Sequence, residues 1–135
     1  MIRTIAIWVL RILAAGIMLQ TLFFKFTASE ESVYIFTTLG VEPWGRILSG
    51  VMELIASLLI LMPRTTGFGA FLGIGVMAGA LMAHIFILGI EVMADGGLLF
   101  AYALIVFISS LILVVIFKDQ VLNIIFHKKT SKQIA

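Results

Sequence analysis

The chain of 135 residues is 62% hydrophobic and 12% charged, with a mean hydropathy of +1.23, far from the roughly half-apolar, quarter-charged make-up of water-soluble domains. Nine Lys and Arg against seven Asp and Glu leave a formal net charge of +2, and no nucleic-acid partner is expected. The absence of cysteine excludes disulfides, thiolate metal sites and Cys-x-x-Cys redox chemistry, so redox work is expected only through a bound cofactor or a partner.

The charges cluster and leave windows to set against the roughly 20 apolar residues that cross about 30 Å of hydrocarbon. Arg3 and Lys25 bracket 21 residues interrupted by Arg11, and Arg46 and Arg64 bracket 17 interrupted by Glu53. Arg64 to Glu91 encloses 26 residues without formal charge, and Asp95 to Lys118 encloses 22. These windows predict an all-α membrane protein: a four-helix transmembrane bundle forming a single domain over 1–135. The spans are placed at 4–26, 44–62, 66–89 and 97–117, followed by a basic tail over 118–135. A cleaved signal peptide does not fit the first window, whose apolar run is broken by Arg11 and continues past any small-residue cleavage site; it reads as a retained anchor.

In span one, Lys25 lies fourteen residues beyond Arg11, about 40° away on the helical wheel, which gives one basic face. Gln20 lies about 180° from Arg11, so the two cannot face one cavity squarely. The loop "TASEESVYIFTTLGVEPWG" predicts a short interfacial helix. Thr27 and Glu30 match a capping box, Gly40 a stop, and Pro43 the first position of the next helix. Val33, Tyr34 and Phe36 would form its apolar face.

In span two, Ser49, Glu53 and Ser57 follow one another at i, i+4 and form a polar stripe, with Gly50 and Arg46 on its flank. A charge at mid-bilayer costs roughly 2.5–3.5 kcal/mol on insertion scales, so Glu53 is expected to face the bundle interior and find a partner. At about 1.5 Å of rise per residue, Glu53 falls about 13 Å below Trp44 and Arg11 about 10 Å from the opposite end. That offset of about 7 Å makes Arg11 its expected partner.

Span three carries Gly69 and Gly73 four apart, then Gly75, Gly79 and Ala83. This small-residue spacing lets helices approach closely, either within the bundle or at a homodimer face. His84 ends the series about 27 Å along the span, and Glu91 shares its face. On span four, Tyr102 and Ser109 repeat that seven-residue spacing. One His with one Glu is a thin metal-ligand set, and paired axial histidines for haem are missing. Arg11, Glu53 and His84, with Lys25, Ser49, Ser57, Gln20 and Tyr102, form the candidate pocket. The competing reading is an internal ion pair that only fixes helix register.

Lys and Arg near span ends favour the cytoplasmic side. Arg3, Arg64, Lys118, Lys128, Lys129 and Lys132 fall on one side, and Lys25 and Arg46 on the other, which predicts that both termini are cytoplasmic.

The segments "LRILAAGIMLQTLFFKF", "GVMELIASLLILMPRTTGFGA" and "MAGALMAHIF", set in four short spans with a capping loop, resemble the DoxX-like family of small four-helix membrane proteins over about Ile7 to Phe117. That resemblance implies a bundle in a bacterial inner membrane, with Arg11, Lys25, Glu53 and His84 at matching positions. It also implies a link to thiosulfate and quinone oxidoreduction or to oxidative-stress complexes with soluble redox partners. Catalytic sulfur chemistry by this chain alone is not expected, since it has neither a soluble sulfur-handling domain nor a cysteine. The leading expectation is a partner-dependent subunit, not catalytic alone, whose pocket accepts a quinone or a lipid headgroup; no other cofactor is expected. The alternatives are a small proton- or ion-coupled transporter using Glu53 and a ligand-free assembly factor.

Overall fold

The computed structural model describes residues 1–123; of the basic tail, His127, Lys128, Lys129 and Lys132 lie outside them. Five helices follow in order: α1 (Ile2–Phe26), α2 (Glu30–Thr38), α3 (Trp44–Leu61), α4 (Thr66–Ala83) and α5 (Leu98–Ile116). A π-helical turn, His84–Leu88, prolongs α4. Four of these rods are long and apolar enough to cross a membrane: Ile2–Phe26, Trp44–Leu61, Thr66–Leu88 and Leu98–Ile116. The chain is a multi-pass, four-helix membrane bundle.

The long helices form a ring in which α1 packs on α3, α3 on α4, α4 on α5 and α5 on α1. Large apolar side chains such as Ile12, Phe23, Phe71, Ile108 and Val115 point outward, as lipid-facing surfaces require. The interior is built from small and medium residues, including Ala14, Ala15, Met18, Ala56, Ile60, Ala70, Val106 and Leu113. Small side chains let backbones close on one another where no hydrophobic effect drives helices together. Gly69 is the extreme case, because a Cβ there would meet the backbone N of Ile60 at 2.5 Å and O of Ala56 at 2.7 Å. A Cβ at Gly73 would lie 3.1 Å from Ser110 Oγ. Gly69 and Gly73 are therefore spent on packing inside one bundle, whereas Gly75 and Gly79 have nothing within 4 Å of a built Cβ.

The end of the bundle that holds the α3–α4 turn is closed by polar clamps. Thr66 Oγ1 donates to the carbonyls of Ile60 and Met62 at 3.1 and 2.9 Å. Gln120 accepts from Gly67 N and donates to Pro63 O, both at 2.7 Å, tying that turn to the chain beyond α5.

Several boundaries differ from expectation. The N-cap of α2 is Ser29, whose Oγ accepts from Ser32 N at 3.3 Å, two positions later than the Thr27 capping box. Thr27 instead closes α1, its backbone N–H bonded to Phe23 O. Gly40 takes the left-handed conformation expected of a stop, with φ +78°, while Pro43 stands just before α3 and not in its first turn. On α2, Phe36 turns inward with Ser32, Ile35 and Leu39, and Tyr34 is exposed; the inward face is thus rotated from the expected one. Span three does not remain α-helical to 89. Its last turn widens at His84, where Gly89 N–H reaches back five residues to His84 O at 2.7 Å.

Candidate functional site

The expected Arg11–Glu53 pair does not form. Lys25 of α1 makes the ion pair with Glu53 through Oε1, and Thr21 Oγ1 donates to Oε2 at 3.1 Å. Side-chain direction is the reason. Cα–Cβ bonds tilt toward a helix N-terminus, and α1 and α3 run in opposite directions. Lys25 therefore leans back along α1 into the bundle, while Glu53 leans toward the α2 end, so the two heads converge. Arg11 leans the other way. Its guanidinium carbon lies 4.6 Å from the Trp8 ring centroid and 5.2 Å from that of Phe117. Arg11 is 4% exposed, and its Nε has no hydrogen-bond partner among the described residues. Some ten residues of α1, about 15 Å of rise, separate it from Thr21, which touches Glu53.

The pair stands beside a cavity of about 570 Å³, lined mostly by apolar groups, at the α2 end of the bundle. Lys25, Gln20, Ser49, Glu53, His84 and Tyr102 line it, whereas Arg11 and Ser57 do not. Ser57 sits one turn farther along α3, fully buried, and returns its hydroxyl to Glu53 O at 2.7 Å. Ser49 likewise spends its proton on Arg46 O at 3.3 Å. The i, i+4 stripe is real, but two of its three members bond to their own helix.

Arg46 acts as a brace. Its Nε donates to both carboxylate oxygens of Glu42 at 2.9 and 3.1 Å, and its Nη1 donates to Lys25 O at the C-terminal end of α1. That contact fixes where Lys25 sits. The Phe26 ring presses on Gly50, where a Cβ would approach Phe26 Cε1 to 2.8 Å. Bare backbone at Gly50 thus lets α1 and α3 meet just above the ion pair.

His84 is buried at the cavity wall, edge-on to Phe100 at 5.8 Å between centroids. Its Nδ1 lies 3.0 Å from Gly89 O. A carbonyl only accepts, so Nδ1 carries a proton and donates it to Gly89 O. The π-turn that holds this ring is a widening of the kind often found at functional sites, and Gly89, at φ +84°, ends it.

Thr21, Phe36, Glu31 and Asp95 are among the lining residues that had no place in the sequence-derived set. Thr21 precedes Lys25 by four residues, a helical spacing that was available in the sequence. Asp95 accepts the backbone N–H groups of Val92, Gly97 and Leu99 at 3.1, 2.8 and 3.2 Å and so orders the loop into α5. Burial works to raise its carboxyl, but those three hydrogen bonds and nearby His84 outweigh it and hold the group below its ordinary value. Burial, helped by the charge of Asp95, pushes the Glu31 carboxyl up. Among the described residues, no group of three or more His, Cys, Asp or Glu side chains is placed to hold a metal ion. Comparison with family models, curated proteins and solved structures finds no significant match to this chain.

Proposed function

We propose that the chain is a DoxX-like membrane subunit whose cavity receives the polar end of an amphiphile, a quinone or a lipid headgroup, while apolar walls hold its tail. The observation that carries this reading is the cavity of about 570 Å³ at the pair of partly buried Lys25 and buried Glu53. A largely apolar hollow with a few convergent polar groups is the usual form of a small-molecule site. The subunit works with a soluble redox partner and is not catalytic by itself. Its place is a bacterial inner membrane with both termini cytoplasmic. Arg3 and Arg64 stand near the end of the bundle where α1 begins and the α3–α4 turn lies, and Glu30, Glu31, Glu42, Glu91 and Asp95 belong to the loops and short helix at the other.

A proton-coupled transporter would cycle Glu53 through its neutral form. Lys25 and Thr21 already engage both oxygens of that carboxylate, which favours a fixed polar wall over a shuttle. Native mass spectrometry of gently purified wild type and Glu53→Gln tests the proposal. A quinone or lipid mass retained by the wild type and depleted in the variant is expected. Two folded proteins that carry nothing would refute it.

A further inference from the structure

The charges around the cavity are unequal. Glu31 from α2, Glu53 from α3 and Asp95 from the α4–α5 loop line it, against one ammonium, Lys25 from α1. Lys25 and Glu53 neutralise each other, which leaves Glu31 and Asp95 as the uncompensated pair. They belong to different elements, yet lie close enough for the charge of Asp95 to act on Glu31. Asp95 is fixed by three backbone N–H groups. His84, nine-tenths buried on the same wall, has its Nδ1 proton committed to Gly89 O. Tyr102 from α5 completes the titratable groups of the lining.

The rim thus has negative charge and hydrogen-bond acceptors in excess. An anionic head would meet repulsion, and no donor cluster among the described residues can hold a metal cation. A neutral head would gain nothing from that charge, whereas an organic cation is attracted by it. Two features suit one with an apolar body: the aromatic ring of Tyr102 in the lining, since ring faces attract ammonium groups, and the bare backbone of Gly75 and Gly79, which leaves width beside α4.

Resting on the cavity reading above, we infer that the occupant is an amphiphile with an ammonium head, seated at Glu31 and Asp95 with its chain along the α4 wall. The same chemistry is available from an aminophospholipid or from a free amphiphilic amine.

The test is a competition on the full-length protein in neutral detergent, with equimolar dodecylamine, dodecanol and dodecanoate and the retained masses read by native mass spectrometry. Dodecylamine is expected to be retained on the order of tenfold over the alcohol, with the acid last, and the preference should weaken as salt rises. Glu31→Gln, which breaks no hydrogen bond recorded in the structure, is expected to lower the amine-to-alcohol ratio by about threefold or more while alcohol retention stays unchanged. Equal retention of all three chains would overturn the ammonium assignment and leave the cavity reading standing; retention of none would overturn both. A parallel measurement in nanodiscs of mixed phosphatidylethanolamine and phosphatidylglycerol separates the sources. Enrichment of the ethanolamine lipid supports a lipid head, and amine retention without lipid enrichment supports a free amine.

Discussion

The two ends of the bundle handle inward-facing cations in opposite ways. At the α2 end, Lys25 meets a carboxylate beside open space; at the other, Arg11 is wedged between Trp8 and Phe117 in closed packing. The same division runs along α4, where Gly69 and Gly73 are filled by neighbours and Gly75 and Gly79 face emptiness. Polar convergence and empty volume coincide at the α2 end. A protein that needed an ion pair merely to set helix register could have closed its packing around it, as it does around Thr66 and Gln120.

The largest effect that would sharpen this contrast is at the ion pair. Glu53→Leu leaves a partly buried lysine without its counter-charge, and a loss of about 3 kcal/mol, the low end for a buried pair, is expected. Adding Lys25→Met should recover most of it, as read from thermal unfolding in detergent. If the single variant unfolds like the wild type, the pair does not hold the α2 end.

Next come the glycines. Gly69→Leu forces side-chain atoms into the α3 backbone and should cost about 3 kcal/mol or more. A Cβ at Gly79 meets no protein atom within 4 Å and Gly79→Leu gains helix propensity, so its stability should stay within about 1 kcal/mol of wild type. Equal penalties would erase the distinction between a filled and a hollow half. Smaller again is Arg11→Leu. Loss of the aromatic contacts, worth about 0.5–2 kcal/mol, is offset by relief from burying a guanidinium, so a net change within about 1 kcal/mol is expected. A loss as large as that of Glu53→Leu would mean that Arg11 has a carboxylate partner after all.

The smallest effect is on pH dependence at the cavity rim. Asp95 has a lowered carboxyl, so its contribution is complete above the ordinary Asp value of about 3.9 and is lost as pH falls through the lower folded value. Glu31 has a raised one, so the folded state binds the extra proton. Stability then declines as pH rises from the ordinary Glu value of about 4.3 through the higher folded value. Unfolding midpoints measured against pH should show Glu31→Gln flattening the upper slope and Asp95→Asn the lower one.

The four spans were legible because charge-free windows of sufficient length have one physical outcome in a chain this apolar. The inward face of Glu53 was legible too, since the cost of a lipid-exposed carboxylate leaves little choice. Its partner was misread because depth was counted along helix axes while the side chains tilt off them, by which rule Arg11 and Glu53 diverge and Lys25 and Glu53 meet. The cap of α2 slipped by two residues because Thr27 and Ser29 both offer hydroxyls, and which one caps depends on where α1 stops. Asp95 and Glu31 could not be joined from the sequence, since only the closed ring of helices brings α2 over the α4–α5 loop. Nor do Gly75 and Gly79 differ in pattern from Gly69 and Gly73; what differs is the neighbour, which is a property of the fold.

That the α2 end is hollow in order to hold an amphiphile is tested most directly by filling it. Gly79→Leu and wild type, purified side by side from membranes, would be compared by native mass spectrometry with unfolding temperatures measured on the same samples. The expected result is a retained small molecule on the wild type that is lost from a variant of undiminished stability. A variant that keeps the same molecule at the same occupancy would contradict the account.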